Sequence, residues 1–191
     1  MLREAIKSIR AAAPAMDFTD PVLFVANLKF TYHLMAASEN LLTKAIELSE
    51  GQPYQAYFQK HFLEEVGHAQ MLADDLASVG IHVVGTTPHA AAMYAAGTQY
   101  YAIFHQSPVT LFGYMLALEA TPIPLEIIAE LEALHCKSLL RCLRHHATHD
   151  IDHSEDLMQE ILKLSTEDQK LVEQSAIRTA TALSTVEFRY V

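Results

Sequence analysis

The sequence lacks a cluster of lysines and arginines, a long uncharged apolar run and a cysteine framework, and each absence closes a class of function. Thirteen basic against twenty-three acidic residues leave a formal charge of −10. With no basic stripe for a phosphate backbone to follow, nucleic acid is not an expected partner. No uncharged apolar stretch reaches the roughly 20 residues of a membrane-spanning helix. The opening MLREAIKSIRAAAPAM breaks its apolar residues with charges, unlike a secretory signal. A soluble, cytoplasmic protein with no membrane partner is therefore expected. The two cysteines, Cys136 and Cys142, fall six apart on one expected helix, where their side chains do not meet in a bridgeable geometry. Free thiols in a reducing compartment follow. Internal repeats, low-complexity tracts and linkers are missing as well, and 191 residues, 51% of them apolar, suit a single packed domain over 1–191.

What is present is helical periodicity. Glycines and prolines fall almost entirely between periodic segments, so the chain is expected to be an all-α helical bundle. The expected helices run over 2–12, 20–49, 54–79 with Gly80 as its stop, 88–105, 108–120, 125–135 and 137–164, and a last one begins in the STED at 165–168 and continues through 187. Pro108 and the TPIP at 121–124 act as breaks.

Charge is concentrated in one place. HHATHDIDHSED, residues 145–156, holds four histidines and four acids in twelve positions. At about 100° per residue, Leu139, Leu143, Ala147, Leu157, Ile161 and Leu164 make one apolar stripe, with His146, Asp150 and His153 on or beside it. The H-x3-D-x2-H spacing stacks these three ligand-type side chains on successive turns. His145, His149, Asp152 and Asp156 form a second stripe toward the polar side and are expected to be solvated. Taken alone, this helix is equally well explained by hydrogen-bonded boundary histidines beside surface acids.

Two further segments change that balance. In YFQKHFLEEVGHAQMLADDL, residues 57–76, Phe58, Phe62, Ala69, Leu72 and Leu76 form an apolar face around Glu65, which turns Glu65 inward and Glu64 away. Glu65 and His68 are the Glu-x-x-His pair that carboxylate-bridged metal sites in helical bundles use. Glu132 and His135 repeat the pattern, but they lie just past the TPIP break and too close to Glu119 to come from an opposed helix. In LFGYMLALEATPIP, residues 111–124, Glu119 sits in a helix that is apolar nearly all round. Its burial without a partner would cost several kcal/mol or hold it protonated, so it calls for a cation. A protonated, hydrogen-bonded glutamate and a ligand-recognising carboxylate are the alternatives. Glu65, His68, Glu119, His146, Asp150 and His153 together offer three imidazoles and three carboxylates from three expected helices. Without thiolate, that set favours iron or manganese over a closed structural zinc, with zinc as a competitor.

FLEEVGHAQMLADDLASVG, GYMLALEATPIP and LRHHATHDIDHSEDLMQEI, in this order, resemble the haem-oxygenase-like di-iron oxidase/oxygenase family, which shares its fold with haem oxygenase and the TenA/PqqC proteins. The resemblance covers roughly residues 20–190, and its H-x3-D-x2-H element is the specific part. It implies a haem-oxygenase-like bundle and iron ligation by Glu65, His68, Glu119, His146, Asp150 and His153. Some family members place the first carboxylate seven residues before the histidine. Here that position is His61, on the face of His68, as an extra ligand or as a group orienting one, and whether His61 or Glu64 joins the site stays open. The family implies two iron ions, with manganese or zinc as substitutes, that activate O2 to oxidise a small amphipathic or amino-acid-like substrate by desaturation, C–C cleavage or N-oxygenation. A redox partner or reductant and a homodimer are further implied possibilities. Tyr114, Met115 and Met93 are candidates for the substrate wall, with plain core packing as the alternative for each.

Three other readings use different residues. A cofactor-free TenA/PqqC-like enzyme acting on a small heterocycle would need Cys136 or Cys142 activated in the pocket. A haem-binding or haem-degrading protein would use His33 in FTYHLMAASE as its axial ligand, leaving the six-residue set unexplained. A non-catalytic metal-binding bundle would take the same ligands without an enclosed pocket beside them.

Overall fold

The computed structural model describes residues 2–13 and 17–186, the side chains of residues 150–152 excepted. Helices account for its regular structure: α1 Leu2–Ala11, α2 Pro21–Leu48, α3 Gln55–Glu65, α4 His68–Ala77, α5 Ala90–His105, α6 Thr110–Glu119, α7 Leu125–Leu134, a 3-10 turn at Lys137–Leu140, α8 Arg141–Leu162 and α9 Thr166–Ser184. The fold is all-α, as expected, with no strand among the described residues. None of the helices among them is long and apolar enough to cross a membrane.

The helix ends follow local chemistry. Asp20 starts α2 by accepting the backbone N–H groups of Val22 and Leu23 at 2.8 and 3.4 Å, with Pro21 at the first helical position. Ser165 starts α9 by accepting the Asp168 N–H at 3.1 Å. Gly80, at φ 82°, lies just past α4 as expected. Position 187, taken as the end of the last helix, lies outside the described residues; α9 itself stops at Ser184.

Two expected helices differ in form. The segment 54–79 is not one helix, because the chain turns extended at Val66 and left-handed at Gly67, with φ 97°, before α4 starts at His68. Glu39 of α2 pins this break by accepting the Gly67 N–H at 3.1 Å. The helix expected from 137 opens as a 3-10 turn and becomes α-helical only at Arg141. Cys136 and Cys142 consequently do not share a helix, although both are free thiols as expected.

Three apolar clusters among the described residues hold the helices together. The first surrounds α6, where Phe112, Tyr114 and Leu116 pack with Phe58, Leu157, Ile161 and Val172. The second joins Phe24, Leu28, Leu72, Leu76, Ile128, Leu131 and Leu143, and the third sets Phe30 and Leu34 of α2 against Ala92 and Ala95 of α5. Each fully buried leucine or phenylalanine contributes roughly 1.5–3 kcal/mol by transfer from water. α8 belongs to two clusters, through Leu143 and Ala147 to the second and through Leu157 and Ile161 to the first. Its histidine-rich stretch therefore runs along the seam between them.

Candidate metal centre

Four helices deliver ionisable side chains to this seam. His61 and Glu65 are one turn apart on α3, His68 opens α4, Glu119 closes α6, and His146 and His153 are two turns apart on α8. They form two groups, His61 with Glu119 and His153, and Glu65 with His68 and His146; within each group one ligand atom per residue lies within 4.8 Å of the others. In the first group His61 Nε2 is 3.2 Å from Glu119 Oε1. In the second, His68 Nδ1 is 3.1 Å from Glu65 Oε2. The other oxygen of Glu65, Oε1, lies 3.6 Å from His153 Nδ1, so one carboxylate spans both groups.

His61, His68 and Glu119 are buried, and Glu65, His146 and His153 are half-buried. Burial works against ionisation here, and the neighbours overcome it. Desolvation pushes the Glu65 carboxyl upward, yet the His68 hydrogen bond and the charges of His146 and His61 bring it down to about 2. Desolvation lowers His61, but its hydrogen bond to Glu119 and the negative charge around it leave its pKa raised. Facing imidazoles and carboxylates of this kind stabilise a shared positive charge, whether proton or metal cation. The buried Nδ1 of His61 has no hydrogen-bond partner among the described residues; the oxygen of Glu64 paired with it stands 4.0 Å away. The ring of Tyr57 stacks on His61 with centroids 5.9 Å apart.

The structure brings together five of the six residues expected from the sequence. The side chain of the sixth, Asp150, lies outside the described residues. His61, left open between ligand and orienting group, stands inside the first group. Glu64 stays at the rim, half-buried, 4.0 Å from His153 Nε2 and 3.7 Å from Lys60 Nζ. The expected outer stripe is only partly outside. His149 and Asp156 are exposed, whereas His145 is half-buried with its ring 4.7 Å from that of His68; Asp152 falls outside the described side chains. The second Glu-x-x-His is accounted for elsewhere: Glu132 takes a two-pronged hydrogen bond from Arg144 at 2.8 and 2.7 Å, and His135 stacks on Phe24.

Beside the two groups lies a cavity of about 590 Å³, within the usual size range of small-molecule sites. His61, Glu65, Glu119 and His146 face it together with Leu34, Met35, Leu42, Met115 and Leu143, and Thr121, Pro122 and Ile123 of the expected break close one side. Of the three wall candidates, Met115 lines it and also packs in the first apolar cluster. Tyr114 stands one layer behind, its hydroxyl 3.0 Å from the lining Ser38. Met93 does not belong to the wall, because it lies half-exposed on the outer face of α5.

Residues 25–187 match the family described as iron-containing redox enzyme. The chain belongs to that family. This iron-containing redox enzyme also shares its fold with two solved structures. One is a domain of unknown function with a heme oxygenase-like fold from Shewanella denitrificans OS217, with TM-score 0.70 and 19% identity over 96% of this chain and 85% of that one. The other is a CADD-like protein of unknown function from Nostoc punctiforme PCC 73102, with TM-score 0.69 and 20% identity over 96% of this chain and 94% of that one. No curated protein matches the sequence. The residues required by the rival readings stand apart from the cavity of this iron-containing redox enzyme. His33 bonds Thr86 at 3.1 Å, Cys142 packs against Met35 and the His68 carbonyl, Cys136 contacts Ser138, and none of the three lines the cavity.

Proposed function

We propose that the protein is a non-haem di-iron oxidase or oxygenase, with one ion held by His61, Glu119 and His153 and a second by Glu65, His68 and His146. The observation that carries this reading is the position of Glu65, with one oxygen toward each group. A donor set of imidazole nitrogen and carboxylate oxygen without thiolate suits iron, with manganese or zinc as substitutes. The ions, when bound, supply electrons for reduction of O2. The protein holds the donors apart on four helices, keeps them in a largely buried seam, and offers a small substrate the adjoining cavity. His61 turns Nε2 to Glu119 and His68 turns Nδ1 to Glu65, so each pair already presents a nitrogen and an oxygen donor to one ion. A reductant or redox partner and a single domain over 1–191 belong to the same proposal.

Anaerobic titration of the metal-free protein with Fe(II), followed by O2, tests it. Uptake of two ions per chain and rapid O2 consumption are expected. A chain that takes up no iron, or takes it up and leaves O2 untouched, is not such an enzyme.

A further inference from the structure

Neither packing nor iron ligation explains Arg10. It lies in the last turn of α1, half-buried, and is one of the residues that line the cavity. The helix dipole accounts for a basic residue at this end of a helix, but not for its place in the wall of a mainly apolar chamber. No described residue offers it a hydrogen bond or an ion pair, and burial alone lowers its pKa. Asn27 and Thr31, one turn apart on α2, also line the cavity, and their side chains have no hydrogen-bond partner among the described residues.

The remaining charges in the wall select what Arg10 can meet. Its described carboxylates, Glu65 and Glu119, face His68 and His61. An ammonium group would therefore find no uncommitted anion there, whereas an anion would find a guanidinium. Arg10 is the only lysine or arginine in the described wall, and one guanidinium matches one negative charge, as a carboxylate carries, by a two-pronged hydrogen bond. Much of the remaining wall is aliphatic, with Leu34, Leu42, Met115, Leu118 and Leu183 beside Phe18 and Phe30. α1 packs chiefly on α9, while the imidazoles and carboxylates come from α3, α4, α6 and α8.

We propose that the cavity takes a singly anionic substrate with an aliphatic body, a carboxylate held by Arg10 at the α1 wall and the body extending toward the histidines. This rests on reading the cavity as the substrate site of the proposed oxygenase. Octanoate, octanol and octylammonium, titrated calorimetrically into the full-length protein, serve as probes. In the metal-free protein octanoate should bind at least about tenfold more tightly than the other two. Arg10→Gln should weaken octanoate by about 10- to 100-fold and leave octanol within about twofold, and Arg10→Lys should recover part of the loss. Circular dichroism and Fe(II) uptake of both variants should match the parent chain. Equal binding of octanoate and octanol, or octanoate binding that Arg10→Gln leaves intact, overturns the proposal. So does octanoate binding that appears only after Fe(II) is added, because the carboxylate would then sit on the metal. Failure of the parent chain to take up iron would sink the oxygenase reading and leave the metal-free comparison to judge Arg10 by itself.

Discussion

His61 Nε2 and Glu119 Oε1 stand 3.2 Å apart, joining the middle of α3 to the last residue of α6. In the proposed centre both belong to one ion. His61→Ala should lower iron uptake from two ions per chain toward one, and Glu119→Ala should do the same with loss of O2 consumption. Uptake of two ions by His61→Ala would place His61 outside the centre and return it to an orienting role.

Gly67 separates the two members of the other pair. Glu65 ends α3 and His68 begins α4, and the left-handed turn between them sets the direction from which His68 meets Glu65 at 3.1 Å. A Cβ at position 67 would meet open space, so the cost of Gly67→Ala is conformational, about 1–2 kcal/mol. Weaker binding of one of two ions is expected, with the helix content retained. An unchanged Fe(II) isotherm would show that the turn has no part in placing His68.

These pairs show how far the sequence could be read. The inward face of α8 was legible because Leu143, Ala147, Leu157 and Ile161 recur at helical spacing and bury beside His146 and His153. Glu119 was legible as a carboxylate in a helix with no polar face. The break at Gly67 was not, since one glycine within a helical pattern costs only about 1 kcal/mol and is often tolerated. With 54–79 taken as one helix, Glu65 and His68 satisfied the motif by themselves and His61 was left without a defined place. His145 was assigned to solvent because periodicity ranks faces of its own helix and knows nothing of α4, whose His68 covers it. Met93 was misplaced for the same reason: an apolar residue on a helix with no acid, lysine or arginine gives no hint of which face is out. The Thr121–Ile123 wall and Arg10 depend on how distant segments close on one another, which no local pattern encodes.

His149 separates the inner from the outer face of α8. Its ring is exposed, stacks on His145 at 4.3 Å, and its Nδ1 donates to the His145 carbonyl at 2.8 Å. His149→Ala should leave iron stoichiometry unchanged and O2 consumption within about twofold, as expected for a surface change. A loss of either beyond tenfold would mean that the wrong face has been assigned to the metals.

Gly113 sets the approach of α6 to α9. A Cβ there would stand 2.2 Å from the Val172 carbonyl oxygen and 2.7 Å from the Ala176 nitrogen, both backbone atoms that cannot swing aside. Gly113→Ala should destabilise the fold by about 1–3 kcal/mol or more, read as a lower denaturant midpoint, and should weaken iron binding because α6 carries Glu119. A variant as stable as the parent would require the two helices to separate freely, contrary to the packing seen.

α8 begins without a cap of its own: Leu140 precedes it and offers no side-chain acceptor. Asp75 of α4 supplies one from across the interface. Its carboxylate is fully buried, with Oδ2 accepting the Cys142 N–H at 2.8 Å and Oδ1 accepting Arg141 Nε at 2.6 Å. A negative charge at this end of a helix is also favoured by the helix dipole. Asp75→Ala would leave the Cys142 N–H buried without a partner, a cost of about 1–3 kcal/mol. Because His146 lies only one turn further along α8, the first turn that Asp75 holds also sets the direction of that imidazole. The expected result is a melting temperature lower by several degrees together with weaker Fe(II) binding, and a smaller effect on both for Asp75→Asn, which keeps an acceptor for the Cys142 N–H. Iron affinity that survives Asp75→Ala while stability falls would show that α8 keeps its register through its apolar face alone.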